Sequence, residues 1–363
     1  MKHIGKRVGI GAGVVLGALL LAVLCYVAYV FLSYHRIQDH QTLEATHPVE
    51  DTVRADALYS ITTFNLGFGA YSADFSFFMD GGRESVARSA DAVRENTNGA
   101  LGLITSRAPD FAFFQEVDLA ATRSHQVDMS ALIDEAMPGY SAVFAVNYDS
   151  PFLFYPILQP HGKTLAGIDT RSRFRIDRAE RRSLPIDEGV GKLIDLDRCY
   201  SVTRLPVQTG GELCLFNVHL TAYADDPAIV DGQLALLFGQ MAEEYAAGNY
   251  VLCGGDFNRD LWGNAAEAFP TGHPTPSWAL AFPTEKIPDG FALCRPDGEP
   301  VPTCRDAAAP YAPGETFVTV LDGFIVSDNI LCVKLEHIDG AFQYSDHNPV
   351  RMEFLLKNPE TAA

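Results

Sequence analysis

The chain is poor in positive charge. Its 363 residues include 27 Lys and Arg against 46 Asp and Glu, for a formal net charge of −19. An acidic surface repels nucleic acid and anionic lipid at long range, and a sequence-independent binder of polyanions is normally basic. This balance argues against an enzyme that tracks along DNA. It leaves open chemistry on a phosphate group at a locally basic site.

The sequence also lacks the motifs of several other protein classes. None of its seven cysteines lies in a CxxC or Cys/His pattern, which argues against structural zinc. No GxSxG motif is present, so a serine nucleophile on a strand-to-helix elbow is not indicated. There is no internal repeat, and 47% hydrophobic with 20% charged residues is typical of a globular protein. Cys294 and Cys304 are a candidate disulfide if the domain lies outside the cytosol.

The longest continuous feature is an uncharged, apolar run over residues 8–32. A helix of this length measures about 37 Å and can cross a hydrocarbon core of about 30 Å. The alternatives are a buried core helix and a cleaved signal peptide. A signal peptide has a shorter apolar region, of about 7–15 residues, followed by small residues at its cleavage site. We therefore predict an uncleaved membrane anchor.

The charges on either side of this run predict its orientation. Three basic residues lie within residues 1–7, whereas Arg36 is the only basic residue close behind the run. The positive-inside rule then places residues 1–7 in the cytosol and the rest of the chain outside it. The polar residues 33–57 are predicted to be a tether. Residues 58–357 are predicted to be one globular domain, because no linker divides them.

The domain alternates between short apolar strands and amphipathic helices. Predicted strands cover residues 59–65, 111–115, 140–147, 200–205, 212–220, 249–254, 321–326 and 349–354, and predicted helices cover residues 83–106, 128–137 and 228–246. This order is expected of an α/β domain. Residues 259–319 are rich in Pro and Gly and weakly periodic, and segments of that length are usually functional or mobile.

Polar side chains repeatedly follow these apolar strands. The set consists of Asn65, Glu116, His219, Asp256, Asn258, Asp322, Asp346 and His347. A carboxylate directly after a buried run is costly unless it is paired or binds a cation. Oxygen ligands suit Mg²⁺, with Mn²⁺ as a possible substitute, better than they suit zinc. Each residue alone also has a purely structural interpretation as a helix cap, a turn residue or a hydrogen-bonded core histidine.

Six motifs, in order, carry a resemblance to a known family. They are FNLG at 64–67, FFQEV at 113–117, NVHL at 217–220, GGDFN at 254–258, LDGFIVS at 321–327 and YSDHNPV at 344–350. Over residues 58–355 the chain resembles the endonuclease/exonuclease/phosphatase superfamily. The resemblance implies an α/β fold, a four-layered sandwich of two mixed β-sheets flanked by helices, here preceded by one N-terminal transmembrane helix.

The resemblance also implies a metal site. Glu116 would ligate Mg²⁺, with Asn65 nearby and Asp346 as a possible further ligand. The chain departs from some DNA-repair relatives, which have an acidic residue where Gly67 stands. That difference puts a repair-type metal shell in doubt.

The same resemblance implies catalytic roles for five residues. Asp256 would position or deprotonate the attacking water, and Asn258 and His219 would donate hydrogen bonds to phosphoryl oxygens. His347, oriented by Asp322, would act at the scissile phosphate. Whether Asp256 or His347 is the general base stays open at this point.

The implied activity is Mg²⁺-dependent hydrolysis of a phosphate ester at the membrane surface. Apolar clusters at residues 75–79 and 151–156 slightly favour a lipid headgroup or small phosphodiester, if they are exposed rather than packed in the core. Residues 163–192 hold eight Lys or Arg against five acids, as either a solvated surface or an anion-binding wall. The alternatives are an extracytoplasmic nuclease acting on DNA or RNA and a non-catalytic, membrane-tethered binding domain. The sequence does not indicate an oligomeric state.

Overall fold

The computed structural model begins with one long helix. It describes residues 2–193, 196–222, 226–271, 275–296, 298–299 and 301–358. Helix α1 (Lys2–Ser33) contains the segment Gly9–Ser33, which is long and apolar enough to cross a membrane by length and composition. Met1 of the predicted cytosolic segment, and residues 272–274, 297 and 300 of the long segment 259–319, lie outside the described residues.

Four further helices follow, and polar caps fix where the longer ones begin. They are α2 (Ala90–Thr105), α3 (Met129–Ala136), α4 (Pro227–Ala246) and the short α5 (Ala265–Ala268). The Ser89 hydroxyl accepts a hydrogen bond from the backbone N–H of Ala92 at 3.1 Å, so α2 starts later than the predicted position 83. Asp226 caps α4 in the same way, and Pro227 occupies its first turn.

Most of the domain is built from two β-sheets, with strands numbered in chain order. In spatial order, the first sheet contains β1 (Gln41–Leu43), β6 (Arg178–Ser183), β7 (Cys199–Pro206), β8 (Glu212–His219), β9 (Tyr250–Asp256), β13 (Asp322–Ser327) and β10 (Phe291–Leu293). The second contains β14 (Ile330–His337), β15 (Val350–Leu356), β2 (Leu58–Asn65), β3 (Phe111–Ala121), β5 (Thr164–Ser172) and β4 (Ser141–Asp149). A small ribbon pairs β11 (Cys304–Arg305) with β12 (Val318–Thr319).

Both sheets are mixed. The pairs β8/β9 and β2/β3 are parallel, and the other named pairs are antiparallel. The predicted fold class is confirmed: two mixed sheets are packed between helices.

Alternating side chains on the central strands create the layers. On β3, Phe113 packs between the two sheets, whereas Phe114 packs beneath α2 and α3. On β8, Leu215 packs between the sheets and Phe216 packs against α4. Both faces of these strands are buried, which is why they read as continuous apolar runs. The order of layers is helix, sheet, sheet, helix.

The segment predicted to be a tether, residues 33–57, packs along the domain. β1 pairs with β6, with Thr42 opposite Glu180. Val53 is fully buried and forms a bridge with Val207. These contacts order the segment and bring the end of α1 close to the globular domain.

The candidate pairing of Cys294 with Cys304 is not formed. Cys294 lies just after β10 and its pKa is raised by a hydrogen bond with the Cys332 thiol and by burial. Cys304 lies in β11, and its backbone forms an isolated antiparallel β-bridge with the backbone of His347. The described cysteines are all free thiols. The short spacing between the two cysteines did not predict proximity in space, because Cys294 follows a strand of the first sheet whereas Cys304 lies in the separate ribbon of β11 and β12.

Candidate active site

The polar residues that follow the strands meet at one end of the two sheets. Asn65 ends β2, while His219 and Asp256 end the parallel neighbours β8 and β9 and lie opposite each other in register. Asp322 begins β13, which runs antiparallel to β9, and also pairs with Asp256. The sheet register therefore brings together residues that are far apart in the sequence.

Glu116 reaches the same place through an irregularity in β3. The strand was expected to end at residue 115, but it continues to Ala121 with a shift of register between Phe114 and Val117. Glu116 lies in this bulge with φ of +54°, a left-handed conformation that non-glycine residues rarely adopt. Bulges of this kind redirect a side chain out of its normal alternation and are common beside active sites.

Glu116 and Asp346 are two buried carboxyl groups at the same cavity. Burial and the neighbouring charge of Asp346 raise the pKa of Glu116. Burial likewise raises the pKa of Asp346, against the opposing effects of His347 and Arg305. A divalent cation would stabilise the charged forms of both groups, so their chemistry is compatible with a divalent metal, and the predicted magnesium site stays a prediction.

Asn65 is buried and hydrogen-bonds to two carboxyl groups of the site, those of Glu116 and Asp256. Its amide Nδ2 donates to Glu116 Oε1 at 3.3 Å and to Asp256 Oδ2 at 3.0 Å. Its Oδ1 accepts the backbone N–H of Gly67 at 3.0 Å. In this arrangement Asn65 positions two carboxylates and does not itself present an oxygen to the cavity.

The surroundings of His347 favour its positively charged form. Its Nδ1 lies 2.7 Å from Asp322 Oδ2, and both side chains are buried. Burial opposes the charge, but Asp322, Cys304 and Asp256 outweigh burial and raise the pKa of His347 well above its ordinary value. The Nδ1–H therefore donates to Asp322, and Nε2 lies 3.7 Å from Asp256 Oδ2.

His219 has the opposite protonation state. Burial and the nearby positive charges of Arg198 and His347 lower the pKa of His219 well below its ordinary value. Its Nε2 lies 3.6 Å from Asp256 Oδ2, and its buried Nδ1 has no hydrogen-bond partner among the described residues. The site thus contains one neutral and one charged histidine on either side of a single carboxylate.

That carboxylate, Asp256, is itself perturbed. Burial raises its pKa to about 6, against the opposing effect of His347. Asp256 Oδ1 accepts the backbone N–H of Asn258 at 2.8 Å. Asn258 has φ of +49° and donates its side-chain Nδ2 to the carbonyl of Leu220 at 2.8 Å, so its amide is held in a fixed orientation.

These side chains surround a cavity of about 140 Å³. Six of the eight predicted residues line it, namely Glu116, His219, Asp256, Asn258, Asp346 and His347. The other two, Asn65 and Asp322, are buried behind them and hydrogen-bond to cavity residues. The structure therefore brings all eight predicted residues into one site.

Three buried arginines that sequence reasoning did not single out also line the cavity. Arg123 pairs with Asp118 at 2.8 Å and lies over the ring of Phe68. Arg198 donates to the carbonyl of Leu220 at 3.0 Å, and Arg305 donates to that of Ser72 at 3.1 Å. They supply positive charge to a cavity that is also lined by the carboxyl groups of Asp80, Glu116, Asp256 and Asp346. Each arginine stands apart from other basic motifs in the sequence, so no local signal identified it.

The basic segment 163–192 does not form an anion-binding wall at this cavity. Arg171 is buried in ion pairs with Asp169 and Asp134, and Arg181 donates to backbone carbonyls such as that of Val146. None of its eight Lys or Arg is among the described residues that line the cavity. A solvated surface describes only part of the segment, because Arg173, Arg175 and Arg178 are exposed whereas Arg171 and Arg181 are fully buried.

Comparison with known proteins finds similar folds among solved structures only. No protein-family profile matches the sequence. No curated protein matches it. Among solved structures, an endonuclease/exonuclease/phosphatase from Beutenbergia cavernae has a TM-score of 0.54 at 16% identity, covering 83% of this chain and 72% of that one.

Two further solved structures show the same similarity. The human Nocturnin catalytic domain with bound sulfate has a TM-score of 0.51 at 15% identity, covering 86% of this chain and 96% of that one. ANGEL2, described as a 2′,3′-cyclic phosphatase, has a TM-score of 0.54 at 14% identity in its complex with adenosine-2′,3′-vanadate, covering 88% of this chain and 99% of that one. The resemblance expected from the six motifs is thus confirmed at the level of the fold.

Proposed function

We propose that the chain is a divalent-metal-dependent phosphoesterase, with residues 58–357 as its catalytic domain and Mg²⁺ as its favoured ion. One observation carries the proposal: the cavity combines the Glu116–Asp346 carboxylate pair with a charged His347 that is hydrogen-bonded to Asp322 at 2.7 Å. A non-catalytic binding domain would not need this arrangement of opposed protonation states.

The buried arginines and the histidines would bind and orient the phosphoryl group. Arg123, Arg198 and Arg305 face the cavity and supply fixed positive charge. The charged His347 places a proton on Nε2, where it can donate to an oxygen of the scissile group. A cation held by Glu116 and Asp346 would neutralise the negative charge that develops on the phosphoryl oxygens.

We infer that Asp256 is the general base. The surroundings of His347 favour the imidazolium form, in which both ring nitrogens are protonated and neither can accept a proton, whereas Asp256, with a pKa of about 6, is ionised at neutral pH. Its Oδ2 lies between His219 and His347, so that a water hydrogen-bonded to Asp256 would be adjacent to the bound phosphoryl group. Asp322 fixes the tautomer of His347 and stabilises its charge.

We favour a phosphodiester with a small or lipid headgroup as the substrate. The apolar segment of α1 supports a membrane location, and the structurally similar ANGEL2 is described as a 2′,3′-cyclic phosphatase. The net charge of −19 argues against extended contact with DNA or RNA. A nuclease acting on DNA or RNA is the alternative, and the substrate panel below distinguishes the two.

The first experiment measures hydrolysis by the purified full-length protein, in Mg²⁺ and in EDTA. The panel contains sphingomyelin, phosphoinositides, nucleotides, RNA, and single- and double-stranded DNA. We expect metal-dependent turnover of a phosphodiester lipid or small phosphodiester, and none from the Asp256→Ala/His347→Ala variant. Turnover of nucleic acid alone would establish the nuclease. Equal turnover by the double variant, or full activity in EDTA, would refute the proposal.

The metal assignment is tested by a conservative substitution. Glu116→Gln keeps the size of the side chain but removes the charge that would bind Mg²⁺. We expect kcat to fall by about 10²-fold or more, because metal stabilisation of the transition state is worth several kcal/mol. The exposed helical residue Glu95 provides the control, Glu95→Gln. Unchanged turnover and unchanged Mg²⁺ dependence in Glu116→Gln would show that the ion binds elsewhere.

A further inference from the structure

The two apolar clusters noted in the sequence differ in how far they are exposed, and they meet where Phe78 packs against Tyr155. Within residues 75–79, Phe75 is fully buried in the core beneath α2. Residues 152–158 form an exposed apolar loop, which we call the aromatic loop. Ile157 and Leu158, at its tip, are 73% and 99% exposed, and Tyr155 is 62% exposed. Single exposed apolar side chains are ordinary, but a contiguous group of them marks an interaction surface.

The aromatic loop is attached to the end of the candidate membrane helix. Tyr26 donates its hydroxyl to the carbonyl of Phe152 at 3.3 Å and accepts the backbone N–H of Phe154 at 2.7 Å. The hydroxyl of Tyr29 accepts the backbone N–H of Phe152 at 3.1 Å. Val30 packs against Leu153. These contacts fix the height of the loop relative to α1.

The point where the loop is attached to α1 corresponds to the expected boundary between the hydrocarbon core and the lipid headgroups. The side chains of residues 9–25 are exposed along α1, over a length of about 25 Å at 1.5 Å per residue. This length falls short of the hydrocarbon thickness of about 30 Å. The loop is joined to α1 at residues 26–30, about 5–10 Å before the helix ends at Ser33. A helix that spans the bilayer would therefore place the loop in the interfacial layer.

We propose that the aromatic loop is a bilayer-contact surface that inserts into the interfacial layer of the membrane. The inference rests on the membrane location given under the proposed function. Aromatic side chains such as Phe154 and Tyr155 are enriched at this depth, and the aliphatic tip of Ile157 and Leu158 would reach the acyl chains. No charged residue occurs within the loop.

The same surface lies beside the active site. A small apolar pocket next to the loop is lined by Phe78, Met79, Leu153, Tyr155 and His161. Two of these residues, Met79 and His161, also line the active-site cavity, so the pocket and the cavity are neighbours. A lipid bound at the loop would therefore place its phosphate ester close to the catalytic groups.

Depth measurement tests the contact without requiring catalysis. A nitroxide would be attached at Leu158→Cys in the full-length Cys25→Ser/Cys294→Ser/Cys332→Ser protein, which lacks the native cysteines that are not buried, reconstituted in phosphatidylcholine nanodiscs. The matched control is Leu331→Cys, an exposed position on β14 at the opposite edge of the sheet from β4. We expect the label at 158 to be accessible to oxygen and shielded from a water-soluble nickel chelate, and the label at 331 to show the reverse. Equal nickel accessibility at both positions would overturn the proposal.

An activity comparison separates the contact from the catalytic function. Ile157→Asp/Leu158→Asp is expected to lower hydrolysis of a phosphodiester lipid in vesicles by about tenfold or more, because interfacial binding scales with buried apolar area. Hydrolysis of the water-soluble bis(p-nitrophenyl) phosphate should be unchanged. Leu331→Asp should affect neither substrate. An equal loss on both substrates would refute the contact role. A deeply placed label on a protein that hydrolyses nothing would support the contact while refuting the phosphoesterase proposal.

Discussion

Two histidines at the site acquire opposite charges although their residue type is the same. His347 is charged because Asp322 is hydrogen-bonded to it, whereas His219 has no carboxylate in direct hydrogen-bond contact and lies near Arg198. Asp256, between them, is held near the pKa at which a carboxyl group is both ionised at neutral pH and basic enough to take a proton. Acid–base roles here follow from neighbours and not from sequence motifs.

The raised pKa of Asp256 predicts how stability depends on pH. Its pKa is about 6 in the folded protein and about 3.9 in an unfolded chain, so the neutral form favours folding. This contribution is complete below about pH 4 and is lost as the pH rises through 6. Asp256→Asn mimics the neutral form. In EDTA we expect it to increase the free energy of unfolding by on the order of 1–3 kcal/mol at pH 8, with little change at pH 4.

Thermal unfolding followed by circular dichroism checks this prediction. The melting temperature of Asp256→Asn should exceed that of the wild type at pH 8 and match it at pH 4. Asp91→Asn, at an exposed position on α2, is the control and should show no such difference. A gain that is equal at both pH values would mean that the buried carboxyl group is not destabilising when ionised.

At the scale of the strand, the close pairing of β8 with β9 positions His219 opposite Asp256. Gly255 makes this pairing possible. It has φ of +138°, and a Cβ there would lie 2.1 Å from the carbonyl oxygen of Val218 on β8. No side chain fits at that distance. The second glycine of the GGDFN motif is thus explained by backbone packing rather than by contact with substrate.

Gly255→Ala is expected to be strongly destabilising. Both the backbone conformation and the clash with β8 oppose a side chain, and we expect a loss of at least about 3 kcal/mol in the free energy of unfolding. Gly210→Ala is the matched control, because Gly210 also has positive φ but a Cβ there meets nothing within 4 Å. That control should cost only about 1–2 kcal/mol. Denaturant titration measures both, and equal losses would show that the clash is relieved by movement of the strands.

For the whole molecule, the orientation of the helix decides which compartment contains the active site. The predicted orientation places the domain outside the cytosol. In a Cys25→Ser protein on intact cells, we expect Glu44→Cys to react with a membrane-impermeant maleimide and His3→Cys to be protected. Both reporters should react after permeabilisation. The opposite pattern would place the active site in the cytosol and reverse the prediction.

The sequence by itself determined the types of residue at the ends of the central strands, and with them the fold. Alternation and apolar runs are local properties, so Asn65 after β2 and Asp256 after β9 were visible without coordinates. Strands that contain mostly polar residues were not predicted, because they show neither alternation nor an apolar run. β6 reads RAERRS, and only pairing with β7 and the burial of Arg181 by distant carbonyls make it a strand.

The tertiary structure alone decided the charge states, the arginine lining and the exposure of the aromatic loop. Arg123, Arg198 and Arg305 come from three unrelated segments, and their convergence depends on how the sheets pack. The apolar runs at residues 75–79 and 151–156 have the same character in sequence, yet the first begins in the core with Phe75 and ends exposed at Met79, whereas the second meets the end of α1. Burial and electrostatic interaction depend on distances in space, and those are set by the fold as a whole and not by any local run of residues.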